Sequence, residues 1–367
     1  MADPLENAYE TVNSLPSVSE KTYPIAGILV TVFGLEELPS HVSEVACLWL
    51  LHPRLATKER MSGFATAAIT DWNIRAKTDS HDDSNLSAKG LIAIAFDQRN
   101  HGTRLVEPLA NEAWRQGNPR HAQDMFSIFQ GTARDVSLLL DYLPSYVFPD
   151  SGRRVCKNLV LGVSLGGHAA WSCILHEPRV SAGVVIIGCP DYVNLMMDRA
   201  RLSKHTTWMN SDPPGSQFLG SEAFPTPLLS AIRKYDPASL VFNHLHADSG
   251  IGPSCKDPLP EPTEQEKQAL RPTLTRCLAG KKILNLSGGS DRLVPYHCGE
   301  SFLTWLKKAS APDGWFADGA MTLEDVIVEG AAHQVTPKMV SEAVRFISDT
   351  LSHGDSREAG TDRGSKM

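Results

Sequence analysis

Leu159-Val160-Leu161-Gly162-Val163-Ser164-Leu165-Gly166-Gly167-His168 decides how the rest of the chain is read. The Val- and Leu-rich run predicts a strand buried on both faces. It leads into Gly162-Val163-Ser164-Leu165-Gly166, a Gly-x-Ser-x-Gly pentapeptide, and then into a helical pattern beginning near Gly167. Between a strand and a helix that pentapeptide carries chemistry, because the sharp turn lifts the serine hydroxyl clear of the sheet edge. The turn strains the serine backbone, so its neighbours must be small, and Gly162 and Gly166 bring no Cβ to clash. The amides that open the following helix would face an anion developing on an attacked substrate. A Gly-rich turn with an incidental serine has the same local pattern, and only the rest of the chain separates the two.

Bulk properties narrow the field. At 367 residues, 42% hydrophobic and 21% charged, the chain has ordinary globular composition and the length of one large α/β domain with an insertion, or of two domains. A formal net charge of -7 leaves no basic footprint for nucleic acid. No apolar run reaches membrane-spanning length. The acidic start, Met1-Ala2-Asp3-Pro4-Leu5-Glu6, lacks the basic and apolar regions of a signal peptide. Seven scattered cysteines, an odd number, read as reduced core thiols of an intracellular protein, cytoplasmic or peroxisomal. No Cys-x-x-Cys or His-x-x-x-His pair points to a metal site.

Around the serine turn the chain alternates strands and helices. Residues 21–38 fit one or two antiparallel edge strands, while residues 1–20 show no core pattern. Ala46-Cys47-Leu48-Trp49-Leu50-Leu51 and Leu91-Ile92-Ala93-Ile94-Ala95-Phe96 are short apolar runs expected as buried strands. A weak helix is expected over 58–76, a surface loop over 78–85 and a helix over 124–143. After the serine helix comes a strand at Val180–Gly188. Then strand 282–287, helix 298–309, strand 323–328 and helix 337–352 restore the rhythm. This pattern predicts a mostly parallel sheet covered on both faces. Residues 192–280, rich in proline and short helical fragments, break it. They are expected as a cap or lid insertion, with 1–191 and 281–352 as the core and 353–367 as a disordered tail.

A serine hydroxyl needs a base to take its proton, and the base needs an orienting carboxylate. Val326-Ile327-Val328-Glu329-Gly330-Ala331-Ala332-His333 is the last strand leaving into a turn that carries a histidine. Ile283-Leu284-Asn285-Leu286-Ser287-Gly288-Gly289-Ser290-Asp291 is the strand before it, leaving into a Gly-rich turn that carries an aspartate. Asp191, in Cys189-Pro190-Asp191 after another strand, is a rival acid. Asp97, His52, His101 and His168 sit at turns or on a helix and read as structural. Trp171, Trp208, Phe218, Phe224 and Tyr235 could line an acyl pocket or simply pack.

The order Ser164, Asp291, His333 resembles that of the α/β-hydrolase fold superfamily, in its esterase/lipase-like or acyl-peptidase-like branches. The resemblance covers nearly all of residues 21–352. It rests on Leu51-His52-Pro53, Asp97-Gln98-Arg99-Asn100-His101-Gly102, the serine pentapeptide, and Asp291 and His333 at successive strand ends. It implies Ser164 as nucleophile, His333 as general base, Asp291 as orienter and Leu165 N–H as one oxyanion donor. Many members have His-Gly after the third strand. Pro53 stands in the glycine's place and has no N–H, so the second donor falls to Arg54 or Leu55, of which Arg54 is favoured. Asn100 replaces another usual glycine in a turn it can still support.

The implied activity is a serine hydrolase acting on a small-molecule carboxylic ester, lactone or thioester, with no metal or organic cofactor. An acyltransferase on the same triad and a receptor-like binding protein with little turnover are the alternatives. The oligomeric state stays open, a homodimer included. Ser365-Lys366-Met367 resembles the Ser-Lys-Leu peroxisomal address.

Overall fold

The computed structural model describes residues 3–9, 12, 15–78, 89–150, 152–245, 259 and 261–352. The loop residues 79–85 and the tail 353–367, with Ser365-Lys366-Met367, lie outside the described residues.

Eight strands form one sheet. They are β1 Glu20–Ile25, β2 Ile28–Phe33, β3 Glu44–Leu51, β4 Lys89–Phe96, β5 Arg154–Val163, β6 Val180–Ile186, β7 Lys282–Gly288 and β8 Thr322–Val328. Their spatial order is β1-β2-β4-β3-β5-β6-β7-β8. β1 and β2 form an antiparallel hairpin, and β2 also runs antiparallel to β4. All other neighbours are parallel. Ala26 and Gly27 turn the hairpin with φ of 48° and 79°. Two successive positive φ values match the right-handed twist of the flanking strands. β1 is the edge strand that the 21–38 pattern suggests, but β2 is interior because it pairs on both sides.

The strands are apolar throughout because both faces are covered. In β3, Val45, Cys47, Trp49 and Leu51 join one core, while Ala46, Leu48 and Leu50 join the other. This is the two-residue period of a strand applied to two buried faces. Helices α1 Ser62–Thr78 and α10 Pro337–Ser352 cover the second face. Met339, Ala343, Phe346, Ile347 and Leu351 line α10 at helical spacing. Helices α2 His121–Val147, α3 Leu165–His176 and α9 Glu300–Ser310 cover the first. The helix expected over 58–76 starts later, because Lys58–Met61 is a tighter 3-10 turn leading into α1.

Between β6 and β7 run α4 Tyr192–Leu202, α5 Thr206–Met209, α6 Thr226–Tyr235, α7 Pro237–Phe242 and α8 Glu264–Leu278. Phe218, Phe224, Ile232 and Val241 from this stretch join the first core. Of the five aromatics considered for an acyl pocket, Trp171, Phe218 and Phe224 are fully buried packing residues. Trp208 and Tyr235 pack against them.

The N-terminal residues correct an expectation. Residues 1–20 show no clear core pattern in sequence, yet Leu5, Ala8 and Val12 are buried in the second core. Val335 N–H donates to Pro4 O at 2.8 Å, and Tyr9 packs edge-on to Phe64 at 5.6 Å. Leu5, Ala8, Val12 and Leu15 recur at three- and four-residue spacing, but in a short run interrupted by polar residues and Pro16; α1 and α10 supply the surface that buries Leu5, Ala8 and Val12. Among the described residues no helix is long and apolar enough to cross a membrane, and the six cysteines there are free thiols.

Candidate active site

The sheet has a topological switch point between β3 and β5. β3 passes through α1 to β4 on one side, whereas β5 passes through α3 to β6 on the other. Where connections diverge, the carboxyl ends of the two central strands leave a gap in which ligands settle. Ser164 follows β5, and Pro53-Arg54 follows β3.

Ser164 has φ 54° and ψ -111°, a strained conformation for a residue with a Cβ. Its N–H donates to Ile186 O at 2.9 Å and its carbonyl accepts from His168 N at 3.1 Å. These bonds clamp the turn between β6 and α3. A Cβ on Gly162 would lie 1.9 Å from Gly166 O, and one on Gly166 would lie 2.0 Å from Leu51 O. Only glycine lets the turn close on itself and on the end of β3.

The structure brings three of the expected residues into one hydrogen-bonded chain. Ser164 Oγ lies 2.9 Å from His333 Nε2, and His333 Nδ1 lies 2.7 Å from Asp291 Oδ2. A carboxylate only accepts, so Nδ1 carries the proton and Nε2 is left as the acceptor for the serine hydroxyl. Asp291 Oδ1 accepts from Leu293 N at 2.8 Å and Val294 N at 2.9 Å, so the carboxylate cannot swing away. The loops behind β7 and β8 are joined by Ser290 N–H donating to Ala331 O at 2.9 Å. Asp291 is buried, and His333 keeps 12% of its side-chain surface exposed. The set can move a proton from the serine to the imidazole while the carboxylate holds the ring.

Asp191 goes elsewhere. It caps α4, its Oδ1 accepting from Asn194 N at 2.8 Å. Burial and the charge of Asp236 push its carboxyl well above the usual range. His52 ties strand ends together: Nε2 accepts from Gln98 N at 2.9 Å and Nδ1 donates to Pro53 O at 2.8 Å. Burial pushes its imidazole down to about 4. His101 packs edge-on against it at 5.4 Å. His168 lies against Cys189 and Phe129, and burial pushes it, too, down to about 4. Asp97 accepts from Lys58 N and Thr103 N, each at 2.9 Å. Burial works against its charge, but these donors hold the carboxyl below its usual range. Its sequence neighbour Arg99 instead pairs with Asp135 at 2.8 Å. Asn100 takes φ 59° and holds the turn through Val106 N and Glu107 N.

Leu165 N–H is the first amide of α3 and so has no acceptor within the helix. Arg54 is half-buried after β3, with Nη1 donating to Asn111 O at 2.6 Å. Burial and the nearby charge of Arg199 push its guanidinium down to about 10. Arg199 on α4, whose Nη2 donates to Leu293 O at 3.0 Å, is not marked by any motif in the sequence. The available signal was an arginine on the stripe Tyr192, Leu195, Met196, Ala200 that α4 buries.

No family model matches the chain, and no curated protein does. Among solved structures, TT1662 from Thermus thermophilus superposes with a TM-score of 0.52 at 17% identity, over 92% of this chain and 100% of that one. The sheet order, the strained serine turn and that superposition agree. The chain has the α/β-hydrolase fold. Two further α/β-hydrolase structures are similar at lower scores. The 2,6-dihydroxy-pseudo-oxynicotine hydrolase gives a TM-score of 0.47 at 16% identity, over 91% of this chain and 68% of that one. The acylaminoacyl peptidase of Pyrococcus horikoshii gives 0.48 at 11% identity, over 96% and 44%.

Proposed function

We propose that this α/β-hydrolase is a serine hydrolase that cleaves a carboxylic ester, lactone or thioester through an acyl-enzyme on Ser164. The observation that carries the reading is the chain Ser164 Oγ to His333 Nε2 to Asp291, with both links under 3 Å. In this mechanism Ser164 Oγ attacks the substrate carbonyl carbon as its proton passes to His333 Nε2. The tetrahedral oxyanion is held by Leu165 N–H and a second amide, assigned to Arg54. His333 returns the proton to the departing alkoxide or thiolate. Water then gives a proton to His333 and attacks the acyl carbon, and collapse returns that proton to Ser164 and frees the carboxylic acid. Asp291 holds the ring in the tautomer that leaves Nε2 unprotonated.

The same reading assigns residues 1–191 and 281–352 to the catalytic core and 192–280 to a cap over the strand ends. Its support is that residues of that stretch reach the site's surroundings: Arg199 Nη2 donates to Leu293 O at 3.0 Å, two residues from Asp291.

The test is a panel of p-nitrophenyl acyl esters of rising chain length, with Ser164→Ala and His333→Ala alongside. Multiple turnover by the native protein and loss of several orders of magnitude in both variants are expected. Equal turnover in native protein and variants would refute the assignment.

A further inference from the structure

Arg199 is a guanidinium held by neutral groups. Its Nη1 donates to His121 Nε2 at 2.9 Å and lies 3.3 Å from Met125 Sδ. Its Nη2 donates to Leu293 O at 3.0 Å. Its Nε is buried with no hydrogen-bond partner. Among the described residues no carboxylate lies within ion-pair distance of it. Asp291 is close enough to be felt, but its two oxygens are taken by His333, Leu293 N and Val294 N.

His121 does not offset the charge. Its Nδ1 donates to Glu112 O at 2.9 Å, so Nε2 is the acceptor and the ring is neutral. Burial and the charges of Arg199 and Arg54 hold its pKa well below the usual value. Trp114, edge-on to His121 at 5.1 Å, has a buried Nε1–H that also lacks a partner. The surroundings therefore hold two unmet donors and a partly desolvated cation. A buried charge is costly until a counter-charge meets it.

The position links this cation to the chemistry. Arg199 connects to Ser164 through Leu293, Asp291 and His333. Arg54, the second cation, follows β3 on the other side of the serine turn. Its guanidinium and that of Arg199 feel each other's charge. Arg199 as a whole residue is half-buried.

We propose that Arg199, with Arg54 as the second cation, binds a carboxylate on the substrate, so that the cleaved ester, lactone or thioester bears a free carboxylate group. This rests on the serine hydrolase reading above. A guanidinium presents N–H donors in a fork that matches a carboxylate's two oxygens, and a carboxylate there would supply the counter-charge that the neutral partners of Arg199 do not. The carboxylate sits either on the acyl chain or on the leaving group.

Two ester pairs distinguish these sources. Mono-p-nitrophenyl glutarate is compared with p-nitrophenyl valerate, and 4-acetoxybenzoate with 4-methylphenyl acetate. In one pair the charged member is expected to have the higher kcat/KM. In Arg199→Met the charged-to-neutral ratio in that pair should fall by about 10- to 100-fold, as for loss of a charged hydrogen bond. Arg199→Lys keeps a point charge and should retain part of the ratio. Equal ratios in native protein and both variants would overturn the proposal.

A second measurement separates failure of this proposal from failure of the hydrolase reading. Glutarate, 4-hydroxybenzoate and inorganic phosphate are titrated by calorimetry into Ser164→Ala and into Ser164→Ala/Arg199→Met. Binding of one carboxylate by the first protein and not by the second supports the anion site even where no ester turns over. Binding of neither carboxylate, or of phosphate in their place, overturns it. Thermal melts of each variant show that the comparison is made between folded proteins.

Discussion

Asp291→Asn is the substitution in which geometry dictates the outcome most closely. Asp291 Oδ1 accepts two backbone N–H groups, at 2.8 and 2.9 Å, and an asparagine carbonyl can keep both. The amide nitrogen then falls where Oδ2 stood, 2.7 Å from His333 Nδ1. An amide N–H can only donate there, so Nδ1 must give up its proton and Nε2 must carry one. Nε2 then faces the Ser164 hydroxyl as a donor and cannot take its proton. The expected loss in kcat near neutral pH is about 10⁴-fold, close to 5.5 kcal/mol of transition-state stabilisation. Stability should change little, since the backbone bonds survive. Asp291→Ala should lose activity and also about 3 kcal/mol or more of stability, because two amides lose a charged acceptor. Asp191→Asn, which alters only a buried helix cap, should leave kcat within about tenfold of native. The assay is kcat on the best p-nitrophenyl ester, read beside urea unfolding of each variant. If Asp291→Asn keeps more than about a tenth of the native kcat, or Asp191→Asn falls equally far, the tautomer argument is wrong.

The remaining predictions concern the framework. Gly166→Ala should prevent the serine turn from closing, because the new Cβ would meet Leu51 O at 2.0 Å; expected are a lower melting temperature and no turnover, and a native-like crystal structure with full activity would contradict the reading. Leu5→Ala should cost about 2–5 kcal/mol in urea unfolding, since Leu5 is 1% exposed in a packed core; a change within about 0.5 kcal/mol would mean that the segment does not pack there. His52 and His168 are pushed from 6.5 down to about 4 by burial. Both are neutral in the fold while the unfolded chain takes up protons below about pH 6.5, so stability should fall as pH drops from 6.5 towards 4. Each contributes about 3 kcal/mol to that fall. His168→Gln should flatten the pH profile of unfolding free energy across that window, and an unchanged slope would remove His168 from the account.

Much of the architecture was legible from local pattern alone. Strands such as Ala46–Leu51 and Leu91–Phe96 declare themselves because a strand buried on two faces has no polar positions to alternate. The serine turn declares itself because only glycine tolerates contacts such as that between position 166 and the end of β3. The order of Ser164, Asp291 and His333 along the chain follows from which strand ends carry turns, and turns are written in short polar and Gly-rich stretches. The mostly parallel sheet covered on both faces follows from the alternation of these elements, and the α/β-hydrolase fold from the resemblance that the motifs at the strand ends carry; the spatial order β1-β2-β4-β3-β5-β6-β7-β8 is set only by strand pairing in the folded chain.

What the tertiary structure decided depends on neighbours distant in sequence. Leu5, Ala8 and Val12 are core residues only because α1 and α10, the latter over 300 residues away, present a surface to bury them. The partner of Arg99 is Asp135 on α2 rather than Asp97 beside it, since Asp97 is already satisfied by Lys58 and Thr103. His333 meets Asp291 rather than Asp191 because the loops after β7 and β8 are hydrogen-bonded neighbours, while Asp191 is spent on the first turn of α4. Arg199 shows the difference most sharply. In sequence it is one arginine on a helix inside an irregular block. In the fold it meets His121, Met125 and Leu293, from three separate segments, and no carboxylate among the described residues neutralises it. A local pattern sets which backbone forms and which face is apolar, but a charge's environment is a sum over everything packed around it, and that sum exists only once the chain has folded.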